Sequence, residues 1–514
     1  MNIGDIPRKN SLRFPNKQAL VFNRQKWTWR EVNNRVNSLA QAMLIKNLGH
    51  GDRVGILMEN GSQNWEIYWA CAKIGVINVP INYKLRAEEL SILLKNAQPK
   101  LIFAARDYIP LLLEVKEQGG WSQEIIQIED STMLVEGIDY EKLIKQFPAI
   151  EPQVEVAETD PFAIFYTSGT TGLPKGAMVS HRNLISNSFN QMYADQSSQR
   201  DINYIVTPLY HMGAVFMSVT YTLMGCTQVI QKHFNVEEFL TTVSKQQISV
   251  CLLIPTMLNM VLNFSKFSDY DLSSLRLIFY GGGPMPGTIL EKAIRQIGCG
   301  FTQGYGLTET LEATFLVSND HILGGNEVQQ KRLLSAGQEA IGAEIRIVDE
   351  LGQDLPCGKS GEILIKSDSV ISGYWQMPEL NEEVIKNGWF FTGDVGYLDE
   401  DRYLFVIDRL KDLIISGGVN IYPKEIESIL YTHPAVLEAA VIGIPDELWG
   451  ESVKAVVVLR DEHRVATHEL INYCKDRLAS YKKPKVIEIV SELPKNPSGK
   501  ILKRLLRETS GLSS

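Results

Sequence analysis

Residues 166–176 read YTSGTTGLPKG, directly after the apolar run FAIF at 162–165. Four apolar residues in a row read as the end of a buried strand. The glycines behind them let backbone N–H groups turn inward around phosphate oxygens, and the Ser and Thr hydroxyls add donors. Lys175 supplies a positive charge at the rim. No GxxxxGK[ST] pattern can be laid over the string, so it is not a Walker loop. A second apolar run, SLRLIFY at 274–280, also stops on glycine, in GGGP at 281–284. Ligands of open α/β sheets gather outside the carboxyl ends of strands. Two strands that end in glycine clusters therefore give both a fold class, α/β, and a place for a site.

The rest of the chain agrees. TWRE at 28–31 has capping-box spacing, and Val32, Val36, Leu39, Ala40, Met43 and Leu44 then fall on one helical face. Gly49 and Gly51 are expected to stop that helix before a buried strand, RVGILM. Further runs such as GEILIK alternate with helical patterns, which implies sheets covered by helices. At 514 residues the chain exceeds one average domain, so two or more lobes are expected. A net charge of −9 argues against bulk nucleic-acid binding. Six scattered cysteines with no CxxC pair exclude a disulfide framework or zinc cluster. The N-terminus lacks a signal-peptide core, and the apolar stretches near 213–225 and 250–262 fall short of the ~20 residues that span a bilayer. A cytoplasmic protein without a transmembrane segment is expected. From Lys475 to Arg507 basic residues far outnumber acidic ones, a solvated face or a site for an anionic ligand.

The glycine string as a whole resembles the phosphate-binding signature of the adenylate-forming superfamily, which includes acyl-CoA synthetases, peptide-synthetase adenylation domains and beetle luciferases. Four more segments carry the resemblance in order: GYGLTET (304–310), WFFTGDVG (389–396), DRLKDLIISGGVNIYP (408–423) and PKNPSGKILKR (494–504). It implies a large N-terminal domain, 1–410, and a small mobile C-terminal domain, 411–514, hinged at Lys411. It further implies that Thr167, Ser168, Gly169, Thr170, Thr171, Gly172 and Lys175 cradle the ATP phosphates. Gly281, Gly282, Gly283 and Tyr305 form the adenine slot. Thr308 serves the α-phosphate, Glu309 holds Mg²⁺, and Asp394 with Arg409 binds the ribose. Lys500 meets the charge that develops as the adenylate forms, and Gly417 and Gly418 line the path of the CoA pantetheine.

The acyl site is expected in TPLYHMGAVFMSVTYTLMG (207–225), with Tyr210, His211, Met212, Gly213, Ala214 and Met217; in the family the position of His211 gates the carboxylate. Amino-acid-activating relatives carry an Asp beside the aromatic, absent here, which disfavours an α-amino acid. Nothing charged follows until Lys232, so an apolar tail is expected: a medium- or long-chain fatty acid, with an aryl acid as the alternative. Each buried CH₂ is worth roughly 0.8 kcal/mol, enough to favour such chains over acetate. The segment between VDELGQ (348–353) and SGYW (372–375) is compact and lacks the insertion of relatives that cannot use CoA, which favours CoA over a carrier-protein thiol. A homodimer is also among the expectations. A non-catalytic nucleotide-binding regulator is the third reading, against which Glu309 and Lys500 both speak.

Overall fold

Thr28 opens the first long helix as its spacing requires. Its hydroxyl accepts from the Glu31 backbone N–H at 3.3 Å, and the Glu31 carboxylate accepts from the Thr28 N–H at 2.7 Å. Helix Trp29–Ile45 then buries Val32, Val36, Leu39, Ala40 and Met43. It ends sooner than Gly49 and Gly51 suggest. The chain leaves the helix at Lys46, and Asn47 takes the left-handed turn with φ 57°. Asparagine tolerates that conformation because its short polar side chain bonds locally. The structure, a computed structural model, describes residues 1–119, 121, 123–128, 137–167, 174–283, 285–460, 464–495 and 501–509.

The chain divides into two compact units, Met1–Ile345 with Ile365–Phe390, and Arg346–Leu364 with Phe391–Ser514. The first holds two sheets. One has seven strands in the order Ile138–Asp139, Glu124–Ile128, Leu101–Ala105, Arg53–Leu57, Ile77–Pro80, Pro161–Thr167 and Lys175–Ser180. All neighbours are parallel except the last pair. The other has nine strands; Ile202–Ile205, Val250–Leu253, Leu277–Tyr280 and Gly300–Leu307 form its parallel centre, and Leu311–Leu316 returns antiparallel beside the last of these.

Helices Ser62–Ile74 and Met212–Leu223 are buried on almost every side. Apolar residues all round a helix put it inside a core rather than on a surface. One continuous core joins Trp65, Trp69, Val215 and Phe216 of these helices to Phe103 and Phe162 of the first sheet and Leu252 and Phe279 of the second. The outer faces are covered separately, by Phe239 and Leu258 on one sheet and Leu90 and Leu112 on the other. The unit is thus layered helix–sheet–helix–sheet–helix. Among the described residues no helix is long and apolar enough to cross a membrane, and all six cysteines are free.

The second unit contains a sheet ordered Val419–Ile421, Ile414–Ser416, Gly450–Leu459, Val436–Asp446, with Val486–Val490 parallel to Gly450–Leu459. Helices Pro423–Tyr431 and Thr467–Lys475 pack on one face through Ile426, Leu430 and Leu470. The second compact unit also takes in Arg346–Leu364 and Phe391–Leu410. The hairpin that precedes Lys411 belongs to the second unit, because Lys424 Nζ donates to the Val406 carbonyl at 3.2 Å and Lys424 N to Asp408 Oδ2 at 2.8 Å.

One ion cluster fastens the first unit's helices. Glu66, with a side chain fully out of solvent, receives Arg35 Nη2 at 2.9 Å and the Tyr140 hydroxyl at 2.7 Å, while Arg35 also reaches Glu141 at 2.7 Å. Removing one partner of a buried pair leaves an uncompensated charge, whereas removing both does not. Arg35→Met should therefore cost about 3–5 kcal/mol in denaturant unfolding, and Arg35→Met with Glu66→Leu should recover most of that loss.

Candidate functional site

The two ends of the glycine loop are pinned across a hairpin. Thr167 lies opposite Lys175 in the register of Pro161–Thr167 with Lys175–Ser180, and its hydroxyl donates to the Lys175 carbonyl at 3.4 Å. Ser168, Gly169, Thr170, Thr171 and Gly172 lie outside the described residues. Residues 373–375 add main-chain bonds along the free edge of this hairpin: Met178 N donates to Gly373 O at 3.0 Å and Trp375 N to Gly176 O at 2.7 Å. This sets the Tyr374 ring 5.5 Å from the Lys175 ammonium. The Tyr374 hydroxyl donates to Glu309 Oε1 at 2.8 Å, and the Glu309 carbonyl accepts from Ile371 N at 2.9 Å. Lys175 and Glu309 are thereby brought to either end of one tyrosine. In sequence SGYW served only as a length landmark, and nothing there singles out Tyr374 as the link.

Glu309 and Thr308 stand in the turn after strand Gly300–Leu307, both half-buried. Tyr305, also half-buried, pairs with Thr314. The neighbouring glycines are required. A Cβ on Gly281 would fall 2.8 Å from the Gly304 carbonyl, and one on Gly304 would fall 2.4 Å from the Phe279 ring. Gly282 has φ 74°, and it and Gly283 are exposed. The GGG turn and the strand bearing Tyr305 thus approach backbone to backbone. Among the described residues no three His, Cys, Asp or Glu side chains converge as a metal cage. A single carboxylate steadied by Tyr374 does fit Mg²⁺, which is usually held by one or two carboxylates together with substrate phosphates.

Tyr210 and His211 precede helix Met212–Leu223, their rings 4.4 Å apart, with Tyr83 edge-on to Tyr210 at 5.2 Å. The Tyr210 hydroxyl and His211 Nε2 are both shut off from solvent and, among the described residues, have no hydrogen-bond partner. Buried polar atoms are normally paired, and among the described residues these two are not. Burial, with a lesser push from the Lys84 charge, holds His211 down to about 4 and hence neutral. Met212, Ala214 and Met217 are buried, while a Cβ on Gly213 would touch only Leu252, at 3.5 Å. The helix itself carries no charge, but Glu312, three residues beyond Glu309, places a carboxylate against Gly304, whose added Cβ would lie 2.6 Å from Glu312 Oε2. No sequence pattern marks it, because Leu311–Leu316 reads LEATFL and both faces of that strand are largely buried.

In the second unit Asp394 pairs with Arg409 across a hairpin, Oδ1 to Nε 2.6 Å. Gly393, with φ 66°, makes the preceding bend, and Asp394 N donates to Thr392 Oγ1 at 3.0 Å. Lys424 lies close to both Asp394 and Asp408; burial lowers its pKa, and these carboxylates partly offset the effect. Lys411 falls in the short turn Leu410–Asp412. Gly417 has φ 59° and no room for a side chain, since its Cβ would fall 2.7 Å from the Trp449 ring; Gly418, φ 79°, has open space. Lys500 lies outside the described residues, but Lys495 and Ile501 on either side of it form an antiparallel bridge.

Comparison with known proteins covers nearly the whole chain. The sequence model of the AMP-binding enzyme family matches residues 8–375, and that of the AMP-binding enzyme C-terminal domain matches 425–500. A feruloyl-CoA synthase of Amycolatopsis sp is 32% identical over 510 residues, covering 99% of both chains. A long-chain-fatty-acid–CoA ligase of Mycobacterium tuberculosis is 32% identical over 511 residues, covering 99% of this chain and 98% of that one. The O-succinylbenzoate coenzyme A synthetase of Bacillus subtilis, solved in complex with ATP and magnesium ion, superposes with a TM-score of 0.85 at 30% identity, covering 98% of this chain and 99% of that one.

The buried imidazoles make stability depend on acid. Burial holds His181, His211 and His321 each to about 4, whereas in the unfolded chain an imidazole titrates near 6.5. The unfolded state therefore takes protons first, and stability, full above about pH 6.5, falls as pH drops toward 4. Chemical unfolding at pH 7 and pH 5 should show a loss on the order of 1 kcal/mol per imidazole, and His211→Asn should remove its share of the difference.

Proposed function

The chain belongs to the AMP-binding enzyme family, and from that premise we propose an acid–thiol ligase that couples a fatty acid to CoA through an acyl-adenylate. The observation that carries the reading is the tyrosine link between Lys175 and Glu309. It fixes a cation beside the loop expected to hold the triphosphate, and a carboxylate at the distance of one side chain from it. Glu309 would hold Mg²⁺, which would supply charge neutralisation to the phosphates. Lys175 and the loop hydroxyls orient the β- and γ-phosphates, and Thr308 donates to the α-phosphate. The substrate carboxylate attacks the α-phosphorus and pyrophosphate leaves. The CoA sulfur then attacks the acyl carbonyl, a thioester C–S bond forms, the acyl–phosphate C–O bond breaks, and AMP departs with that oxygen.

Tyr210 and His211 are the groups we assign to the substrate carboxylate, since their inward polar atoms have no other partner. A neutral His211 donates a hydrogen bond without capturing the carboxylate as an ion pair, and so leaves it nucleophilic. Asp394 and Arg409 are assigned to the ribose, Lys500 to adenylate formation, Gly417 and Gly418 to the pantetheine path, and Lys411 to a hinge between a 1–410 part and a 411–514 part. The space above Gly213 supports an acid with an apolar body, a medium- or long-chain fatty acid. An aryl acid is the second reading, favoured by the edge-to-face wall of Phe216, Phe279 and Phe315. The enzyme is read as cytoplasmic, and a homodimer is retained as part of the proposal.

Turnover should consume ATP to AMP and pyrophosphate and stop without Mg²⁺; nucleotide chromatography that finds stoichiometric ADP overturns the reading. Octanoate to palmitate should give higher kcat/KM than acetate or any α-amino acid, and a bulky residue at Gly213 should shift preference to shorter or thinner acids.

The two half-reactions should separate by mutation. Lys500→Ala should slow adenylate formation on the order of a hundredfold yet still convert preformed acyl-adenylate and CoA to thioester. Gly418→Leu should retain acid-dependent pyrophosphate exchange while making little acyl-CoA. Thermal melts of both proteins must show a folded chain, since Leu at a left-handed position carries strain of about 1–3 kcal/mol.

A further inference from the structure

Behind helix Met212–Leu223 lies a polar group of residues that the ligase reading leaves without a task. Asn187 of helix His181–Ala194 accepts from Glu312 N through its Oδ1 at 3.0 Å. Among the described residues its buried Nδ2 has no partner, and neither has Glu312 Oε2, which is likewise shut off from solvent. The two orphans are of opposite kind, one a donor and one an acceptor, on side chains already joined through the Glu312 backbone. Glu312 nonetheless keeps some accessible surface as a residue, so it is not sealed in a core.

A run of contacts joins Glu312 to the acyl helix. The carboxylate sits against Gly304, Gly304 sits against the Phe279 ring, and Phe279 meets Phe216 edge-on at 5.8 Å. Phe216 and Met217 share a helical face with Gly213, being three and four residues on. An unpaired buried donor and acceptor each carry a desolvation penalty that a bridging group removes. The group that both donates and accepts from one atom is a hydroxyl.

Resting on the ligase reading above, we propose that the acid activated here carries a hydroxyl on an otherwise apolar body, and that this hydroxyl hydrogen-bonds to Glu312 and Asn187. Burial first, and the nearby Asp195 second, push Glu312 up to about 8. A carboxyl held neutral in this way pairs with a neutral hydroxyl and gives no counter-charge to an ammonium. Glu312 then becomes a specificity-determining residue. A site with polar groups built for a substrate hydroxyl rejects the analogue without one, because its own groups stay unpaired.

Two pairs of acids that differ by one hydroxyl test this in the full-length enzyme: 4-hydroxycinnamic against cinnamic acid, and 8-hydroxyoctanoic against octanoic acid. ATP–pyrophosphate exchange is measured with each, and calorimetry follows binding of the matching 5′-O-(N-acylsulfamoyl)adenosines. In the unmodified enzyme at least one hydroxylated acid should exceed its parent about tenfold or more in kcat/KM. Glu312→Leu should bring that ratio to about one while exchange with the parent acid persists or rises. Glu312→Gln, which keeps an acceptor and a donor, should retain most of the preference. Thermal melts confirm that both variants fold. Equal ratios in the unmodified enzyme and Glu312→Leu, or preference for both parent acids in the unmodified enzyme, overturn the assignment and leave the ligase reading intact, with a bound water as the bridge. Failure of every acid to exchange pyrophosphate, together with no binding of any adenosine analogue, overturns the ligase reading and this inference with it.

Discussion

A side chain at position 306 has nowhere to go. Its Cβ would fall 1.5 Å from the Leu311 carbonyl oxygen, closer than any packing change relieves. That contact exists because strand Gly300–Leu307 reverses into Leu311–Leu316 through three residues, with Leu307 N donating to the Thr310 hydroxyl at 2.9 Å and Thr310 N to the Leu307 carbonyl at 3.2 Å. Leu311 itself takes φ 51°, a conformation costly for a branched residue. The tight reversal thrusts Thr308 and Glu309 out of the sheet edge on a short, doubly bonded turn. Everything assembled around the phosphates follows from it: Glu309 can meet Tyr374 only because the turn cannot lengthen, and Tyr374 meets Lys175 only because its own backbone is stitched to the hairpin edge. Glu312, on the return strand, is brought to the same neighbourhood by the same constraint.

Much of this was legible in sequence because it depends on local chemistry. The strands that end at Thr167 and Tyr280 were readable from apolar runs stopped by glycine, and the helix after Thr28 from a cap and a periodic face. The glycines at 281 and 304 repeat one lesson: a residue without a side chain, flanked by apolar strand residues, signals that two backbones or a ligand must come close. Of the segments that carry the family resemblance, GYGLTET and DRLKDLIISGGVNIYP run through strand ends and turns, where conformation constrains residue type, while WFFTGDVG lies within one strand.

What sequence did not disclose depends on distance along the chain. Asn47 ends a helix before either expected glycine because capping there is a matter of one residue's φ, and asparagine serves nearly as well. The carboxylate of Glu312 escaped notice because a glutamate in a string of apolar residues gives no sign of whether its oxygens find partners. Tyr374 looked like part of a spacer. The hairpin of Leu404–Arg409 belongs with the helix at Pro423 through Lys424 and the buried Asp408, an association set by those bonds and not by any composition change near Lys411.

The stitching of residues 373–375 onto the strand Lys175–Ser180 has a consequence for synthesis. Until those residues leave the ribosome, the seven-stranded sheet ends in an uncovered strand with free N–H and C=O groups, the kind of edge that recruits other chains. Translation proceeds at about 5–20 residues per second, so the wait between the strand and its cover lasts roughly ten seconds or more. The same interval separates Lys175 from the tyrosine over which it rests. A nascent chain of this protein therefore holds this hairpin edge open for about half of the time its first unit takes to emerge, and slow codons placed between the two segments would lengthen its exposure to aggregation without altering one residue of the finished enzyme.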